Sequence, residues 1–197
     1  TEILVPDPMF VGEVPGRINM FPTNTYYFFN GAWRKVGQSP TTSFGYVPLR
    51  PFTFFFLRNK ATSTKFTPVG AVPMEDAAIP LYSLLSLRQD NPIALPRPVD
   101  VSLHDAGLTN FGAFRSSPST FVRLDELLVF TNAGFNRAAS ETYFVFNNGW
   151  RKVGASPTID FGPSNVFKAG LGFLIRRGTS STEAIEFINE ASYLTNQ

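Results

Sequence analysis

The chain has 197 residues, a formal net charge of +2 and only 16% charged residues against 43% hydrophobic ones. It contains no cysteine, which excludes disulfides, thiolate metal sites and a cysteine nucleophile. Its Lys and Arg residues are scattered rather than gathered into a stripe that could follow phosphates, which argues against nucleic acid as a partner. No apolar run approaches the ~18 residues of a membrane helix, so we expect no membrane insertion. The sequence starts at Thr1 without Met and shows no leader-like segment, so we expect a mature or truncated product.

Phenylalanine is unusually frequent, with 21 residues against 2 Trp. This number exceeds what a small core needs, and it predicts that part of the apolar surface meets a partner.

An internal repeat dominates the chain. Residues 24–45 recur at 141–162 with 14 of 22 positions identical, and the shared element is the string "WRKVG". The similarity continues on both sides, where 2–5 resemble 126–129 and 55–58 resemble 173–176. The chain is therefore built from two related units.

Each copy predicts a β-hairpin. Tyr26 to Phe29 are strand formers, Asn30-Gly31 tolerate positive φ, and Trp33 begins a returning strand. The second copy reads Asn147-Asn148-Gly149, with the distance between the flanking aromatic residues unchanged. We therefore predict a three-residue loop whose left-handed position moves, rather than a strict two-residue turn.

The rest of the chain predicts short strands. The chain has 16 Pro and 15 Gly, which leave few stretches long enough for a helix. The two helical candidates are 75–88, which Pro80 breaks, and 181–191. The predicted fold class is all-β, with two related β-sandwich units in tandem, antiparallel strands and little helix. The predicted boundaries are 1–75 for the first unit, 76–90 for a connector and 91–197 for the second unit.

The two units differ in one strand. The second unit carries strand signals at 91–103, 124–130, 141–154, 170–177 and 184–188, and the first has equivalents of the last four, ending at 65–72. It has no equivalent of the segment "IALPRP" that opens the second unit.

The segments "IALPRP" (93–98), "DELLVF" (125–130), "FNNGWRKVG" (146–154) and "GFLIR" (172–176) resemble an uncharacterised family of repetitive, secreted bacterial β-sandwich proteins. The resemblance covers nearly all of the chain, and the repeated hairpin is its most specific element. Members begin with a signal peptide and carry an N-terminal portion ahead of the position where this chain starts. More loosely, the pattern is similar to β-sandwich repeats of bacterial surface proteins. The resemblance implies export and a β fold, and no catalytic activity.

A sandwich that lacks one strand leaves an unpaired edge and a hydrophobic groove. Three arrangements could cover them: a strand donated by a neighbouring copy, the N-terminal portion that the resemblance implies, or the region 58–140 folding back. The sequence leaves these alternatives open.

Catalytic and metal sites find little support in the sequence. The single histidine, His104, lies beside Asp105 and near Ser102, but adjacent side chains do not form the facing geometry of a triad. Asp125 and Glu126 are side by side rather than across a cleft, and the glycines of "AGLGF" lack the helix and Lys-Ser/Thr of a phosphate loop. We therefore expect no enzyme, no metal ion and no cofactor.

The hairpin aromatic and basic residues are the remaining candidates for an interface or a ligand site. They could form a sugar platform with an arginine grip, or the aromatic residues could pack inside each unit while Arg and Lys point outward. The second interpretation is favoured because a whole hairpin, turn included, is repeated. The candidate residues are Trp33, Arg34, Trp150, Arg151, Tyr26 and Tyr143.

These observations together predict a non-enzymatic, secreted structural protein, extracellular or at the cell surface. It would associate with copies of itself into a homo-oligomer or polymer, and strand donation between subunits is one of the open alternatives for this association. The alternative is a carbohydrate-binding or adhesive module that binds polysaccharide through the hairpin aromatic residues.

Overall fold

The computed structural model describes residues 1–6, 18, 22–49, 52, 54–59, 71–131, 138–182 and 184–191. In this part of the chain the only helix is a single 3-10 turn at Asn110–Gly112, and every strand pairing is antiparallel. The predicted all-β class is confirmed. In chain order the strands are β1 (Glu2–Val5), β2 (Asn24–Phe29), β3 (Ala32–Lys35), β4 (Phe56–Arg58), β5 (Ala77–Tyr82), β6 (Gln89–Ala94), β7 (Glu126–Val129), β8 (Glu141–Phe146), β9 (Gly149–Lys152), β10 (Gly172–Arg177) and β11 (Ala184–Asn189).

The two repeat units build the same sheet. The first sheet has the order β3-β2-β1-β4, and the second has the order β9-β8-β7-β10 with β6 added beyond β10. The register is also repeated, since Glu2 is opposite Arg58 and Glu126 is opposite Arg176. A register of this kind is set by which residues face the core, so the two copies share their inward and outward faces.

The second unit has two layers. The pair β5–β11 lies against one face of the five-stranded sheet, and their alternating residues Ile79, Leu81 and Phe187 are almost fully buried. The facing sheet, the loop 101–114 and the segment 166–167 supply most of the rest of one apolar core, including Ile93, Val101, Leu103, Leu108, Phe114, Leu127, Tyr143, Val145, Trp150, Phe167, Phe173 and Ile175. In the described residues the first unit is a single sheet, with no second layer of strands over it.

The hairpin turns contradict the predicted three-residue loop. Phe29 is opposite Ala32 and Phe146 is opposite Gly149, so two residues form each turn. Both positions have positive φ, 48° and 71° at Asn30-Gly31 and 48° and 56° at Asn147-Asn148. This is the backbone of a type I′ turn, and Asn148 replaces glycine because Asn tolerates the left-handed region.

Neither helical candidate forms a helix, in line with the predicted all-β class, and the predicted strand signal at 184–188 lies within β11. The windows 75–88 and 181–191 contain β5 and β11, which pair with each other. Period-two burial outweighs helix propensity here, since Ala77, Ile79 and Leu81 point inward while Pro80 points outward. The predicted connector 76–90 therefore carries a core strand, and the predicted strand signal at 65–72 lies mostly outside the described residues.

Strand β6 is held by side chains as well as by its backbone. The Arg176 guanidinium donates from Nε and Nη2 to the two carboxylate oxygens of Asp90, at 2.7 and 3.0 Å. The Asn91 side chain bonds both the N–H and the C=O of Tyr82, at 2.7 and 3.0 Å. An amide in this position takes the role of a strand backbone, so Asn91 links β6 to β5 and the sheet to its covering layer.

A contact between the two units lies at the start of β10. The ring of Phe54 is buried and occupies the space where a side chain at Gly172 would lie, 1.7 Å from an ideal Cβ position. The N–H of Ala94 also donates to the carbonyl of Phe52 at 3.2 Å. Glycine at position 172 is therefore a packing requirement for this contact.

Substitution Gly172→Ala tests the contact. We expect a loss of about 1–3 kcal/mol in the free energy of unfolding, because the new methyl group overlaps the Phe54 ring. Combining it with Phe54→Ala removes the overlap, so the double variant should be more stable than the sum of the two single effects predicts. Urea unfolding measures the free energy of unfolding of all three variants. Strictly additive losses would show that Phe54 and Gly172 are not in contact.

Candidate interaction surface

The repeated hairpin folds in the same way in both units. The N–H groups of Val36 and Val153 donate to the carbonyls of Thr25 and Thr142, each at 2.9 Å. After the hairpin the chain turns back, and Phe44 and Phe161 donate to the carbonyls of the two tryptophans, again at 2.9 Å. The hydroxyls of Ser39 and Thr41 lie 2.9 Å apart, and those of Ser156 and Thr158 lie 2.8 Å apart. The "WRKVG–SPT" sequence thus encodes a local structure, whatever surrounds it.

In the second unit the hairpin aromatic residues belong to the core. Trp150 is 2% exposed and packs against Phe114 with ring centroids 4.9 Å apart. Tyr143 is also buried, and its hydroxyl donates to Glu141. Arg151 is buried too, and one guanidinium nitrogen donates to the carbonyl of Ile159 at 2.9 Å. The structure therefore places Trp150, Tyr143 and Arg151 away from an open binding surface.

Two acidic residues fix this second hairpin. Hydrogen bonding to Lys152 and then to Tyr143 holds the pKa of Glu141 below its usual value, while burial and the bond to Glu141 raise the pKa of Tyr143. Burial acts to raise the pKa of Asp160, but the N–H groups of Gly162 and Trp150 bring it below its usual value. The hydrogen-bond donors around Glu141 and Asp160 stabilise the charged carboxylates, and both carboxylates have a structural role in the hairpin.

In the first unit the same hairpin is partly uncovered. We call the face of this sheet that carries Ile3, Tyr26, Phe28, Trp33 and Leu57 the open face, because it corresponds to the core face of the second unit. Phe28 is 59% exposed where its counterpart Val145 is 6% exposed, and Leu57 is 40% exposed where Ile175 is fully buried.

A cavity of about 180 Å³ lies on the open face beside the hairpin. Ile3, Tyr26, Trp33, Phe44 and Leu49 are among its lining residues, so its wall is mainly apolar. Trp33 and Tyr26 are half-buried in this wall. The pKa of Tyr26 is raised, first by its burial and second by the nearby Tyr46.

Arg34, the remaining candidate, lies on the opposite face of the hairpin, since it pairs with Tyr27. One of its guanidinium nitrogens donates to the carbonyl of Thr41 at 2.8 Å. The structure thus brings Trp33 and Tyr26 together at one cavity and does not bring Arg34 to it.

The edge of the first sheet is the second part of the candidate surface. Arg58 contacts Glu2 at 3.3 Å on the β1 side and is one-third exposed. Its counterpart Arg176 meets Glu126 in the same register but is also bound by Asp90 of β6, which raises the pKa of Arg176. No described strand pairs with β4 on the side where β6 pairs with β10.

The other chemical candidates are structural. Ser102 donates its hydroxyl to Asp105 at 2.6 Å, while His104 is exposed and lies 3.7 Å from Asp160, so the three do not form a triad. Asp125 is fully buried and accepts from Arg115 at 2.6 Å and from the N–H of Gly178 at 2.9 Å. Sequence inspection missed the buried Asp90, although an acidic residue in the strand absent from the first unit was a usable signal.

The described part of the chain lacks a metal-binding cluster and a membrane-spanning helix. It holds no group of three or more His, Cys, Asp or Glu placed to bind a metal ion. It also holds no helix of the length and hydropathy needed to cross a bilayer.

The two tryptophans provide a matched test of the different surroundings. We expect Trp150→Ala to lower the free energy of unfolding by about 3–5 kcal/mol because it opens a cavity in the core. Trp33→Ala should cost less than half of that, because Trp33 is already partly exposed to solvent. Urea unfolding followed by circular dichroism measures both losses. Equal losses would contradict the conclusion that Trp150 lies in a core and Trp33 on a partly uncovered face.

Comparisons of the chain with models of protein families, with curated proteins and with solved structures gave no match. The resemblance to secreted, repetitive β proteins therefore stays a prediction from the sequence.

Proposed function

We propose that the protein is a non-enzymatic structural subunit that associates with copies of itself by strand addition at the β4 edge. In this proposal it acts outside the cell or at the cell surface, as a component of a fibre or surface layer. Its partner is another copy of the same chain.

One observation carries the proposal. The same four-stranded sheet occurs twice, and the strand β6 that pairs with β10 has no described counterpart beside β4. A sheet edge offers backbone N–H and C=O groups to another strand, and proteins that do not use such an edge cover or charge it. Added strands bind through main-chain hydrogen bonds, and side-chain positions select the partner.

The open face supports the same proposal. Its residues are of the type that the second unit buries, and Phe28 and Leu57 are large apolar side chains left in contact with solvent. Covering one such side chain contributes about 1.5–3 kcal/mol. A copy that binds at the β4 edge and also covers part of the open face would gain from both contacts.

A carbohydrate-binding module is the second candidate, and the cavity at Tyr26 and Trp33 is the observation that favours it. Aromatic rings at a cavity can stack on a sugar ring. However, sugar sites also need several polar groups for the hydroxyls, and the cavity wall is mainly apolar. Retardation of the protein in gels that contain polysaccharide, lost with Trp33→Ala and kept with Tyr27→Ala, would favour this candidate.

The assembly proposal predicts species of high mass that increase with concentration. Sedimentation velocity across a hundredfold range of concentrations, with negative-stain microscopy of the densest sample, measures them. Leu57→Pro removes a backbone N–H in β4 and should reduce assembly, whereas Val99→Pro, at an exposed loop position, is the matched control. A monodisperse monomer at the highest concentration would contradict the proposal.

A further inference from the structure

We infer that the open face of the first unit binds an extended segment of another polypeptide, which lies along residues 44–49. The second unit shows the equivalent contact within one chain, since residues 101–104 lie along 161–166. The bound segment has the pattern apolar-polar-apolar and places one apolar side chain in the cavity beside Trp33. Strand β3, which carries Trp33, is at the opposite side of the sheet from β4, so the inference goes beyond the proposed assembly.

The two stretches that follow the hairpins fold alike. The N–H of Val47 donates to the carbonyl of Phe44 at 3.1 Å, and the N–H of Ser164 donates to the carbonyl of Phe161 at 2.9 Å. Each of these phenylalanines also donates to the tryptophan carbonyl of its own hairpin. Val47 is therefore the structural counterpart of Ser164, and what binds one stretch is a guide to what fits the other.

In the second unit the segment 101–104 pairs with this stretch through its backbone. The N–H of Leu103 donates to the carbonyl of Ser164 at 3.2 Å, and the N–H of His104 donates to the carbonyl of Gly162 at 3.0 Å. The Leu103 side chain is fully buried in the core of the unit. The His104 ring lies over Gly162 and occupies the space that a side chain at that position would need.

Gly45 and Val47 hold the positions of these two acceptors in the first unit. In the described part of the chain no group donates a hydrogen bond to the carbonyl of either residue. Gly45 is exposed where Gly162 is buried, and Leu49 is 46% exposed where Val166 is 7% exposed. The described first unit therefore has the acceptors and the apolar wall of this contact without the segment that fills it.

The cavity on the open face borders the same carbonyls. Gly45, Val47 and Leu49 line it together with Trp33 and Tyr26. A segment that pairs with the two carbonyls therefore runs along the cavity. An apolar cavity of roughly 150 Å³ is large enough for benzene. The cavity of about 180 Å³ in the first unit thus has room for one apolar side chain.

Backbone pairing selects a peptide rather than a sugar for this site. The N–H groups of an incoming segment reach the two carbonyls, and its apolar side chains enter the cavity, as in peptide recognition by strand addition. The segment 101–104 cannot serve both units, because Leu103 is fully buried in the core of the second unit. A second copy meets the same obstacle, since donating 101–104 would open its own core. The occupant is therefore a different polypeptide.

A synthetic peptide with the sequence of residues 98–106, labelled with a fluorophore at its N-terminus and amidated at its C-terminus, is the probe. Fluorescence anisotropy measures its binding to the full chain, and we expect saturable binding. Methylation of the peptide nitrogen at Leu103 removes one donated hydrogen bond and should weaken binding about tenfold. Methylation at Ser102, whose N–H donates to no described residue in the folded chain, is the matched control.

Leu49→Asp tests the site from the side of the protein. Leu49 lines the cavity and is exposed, so the variant should stay folded, as circular dichroism measures. Its carboxylate replaces an apolar contact and is desolvated by the peptide, so binding should weaken about tenfold. Val36→Asp places the same charge at an exposed position outside the cavity lining and is the matched control.

The outcomes separate this site from the proposed assembly. Binding that weakens with the Leu103-methylated peptide and with Leu49→Asp, but not with the two controls, supports the inference. Absence of binding, or an equal effect of the controls, shows that it is wrong. If the peptide does not bind but Leu49→Asp reduces self-association in sedimentation velocity, a second copy covers the cavity and only the proposed function stands. If the peptide binds as expected and the wild-type chain never assembles, the inference stands and the proposed function is wrong.

Discussion

The ion pair between Asp90 and Arg176 joins the one strand that distinguishes the two units to the sheet that they share. The Asp90 side chain is fully buried and the Arg176 side chain is 15% exposed, and a bidentate charged hydrogen bond of this kind is strong and fixes register. Through Asn91 the same strand also holds the covering pair β5–β11, whose apolar side chains complete the core. Closure of the sheet edge and coverage of the sheet face in the second unit therefore depend on β6. The described part of the first unit has neither.

The same four-stranded sheet lies in different surroundings in the two units, and this difference accounts for the high phenylalanine content of the chain. The repeated hairpin needs the same turn, the same cross-strand pairs and the same tryptophan in each copy, because these set its local structure. What differs is the environment of that tryptophan, since Trp150 lies in the core and Trp33 is partly exposed. Large side chains such as Phe28 then remain on a solvent-facing surface. Apolar surface of this kind is typical of sites of association, and the proposed self-association would give the abundance of phenylalanine a physical role.

Much of this arrangement could be predicted from the sequence. The repeat predicted two equivalent sheets, and the missing "IALPRP" equivalent pointed to the edge beside β4, although β6 ends at Ala94 and contains only the first two residues of that segment. The turn was wrong because Asn148 can replace glycine at positive φ, which spacing alone does not reveal. The windows of β5 and β11 remained helical candidates beside the strand signal at 184–188, because their period-two burial becomes visible only when their pairing is known. The acidic residue in the strand absent from the first unit was a signal for Asp90, but its partner Arg176 and the bond from Asn91 to Tyr82 are visible only in the fold.

In the proposed assembly the β4 edge is open in the single copy and is covered when copies associate. Amide hydrogen exchange, measured by mass spectrometry on peptides from β4 and β10 at low and high protein concentration, tests this most directly. We expect β10 amides to be protected at both concentrations, while β4 amides exchange fast in dilute protein and become protected as assemblies form. Protection of β4 equal to that of β10 in dilute monomer would contradict the claim, because it would mean that the chain covers this edge by itself.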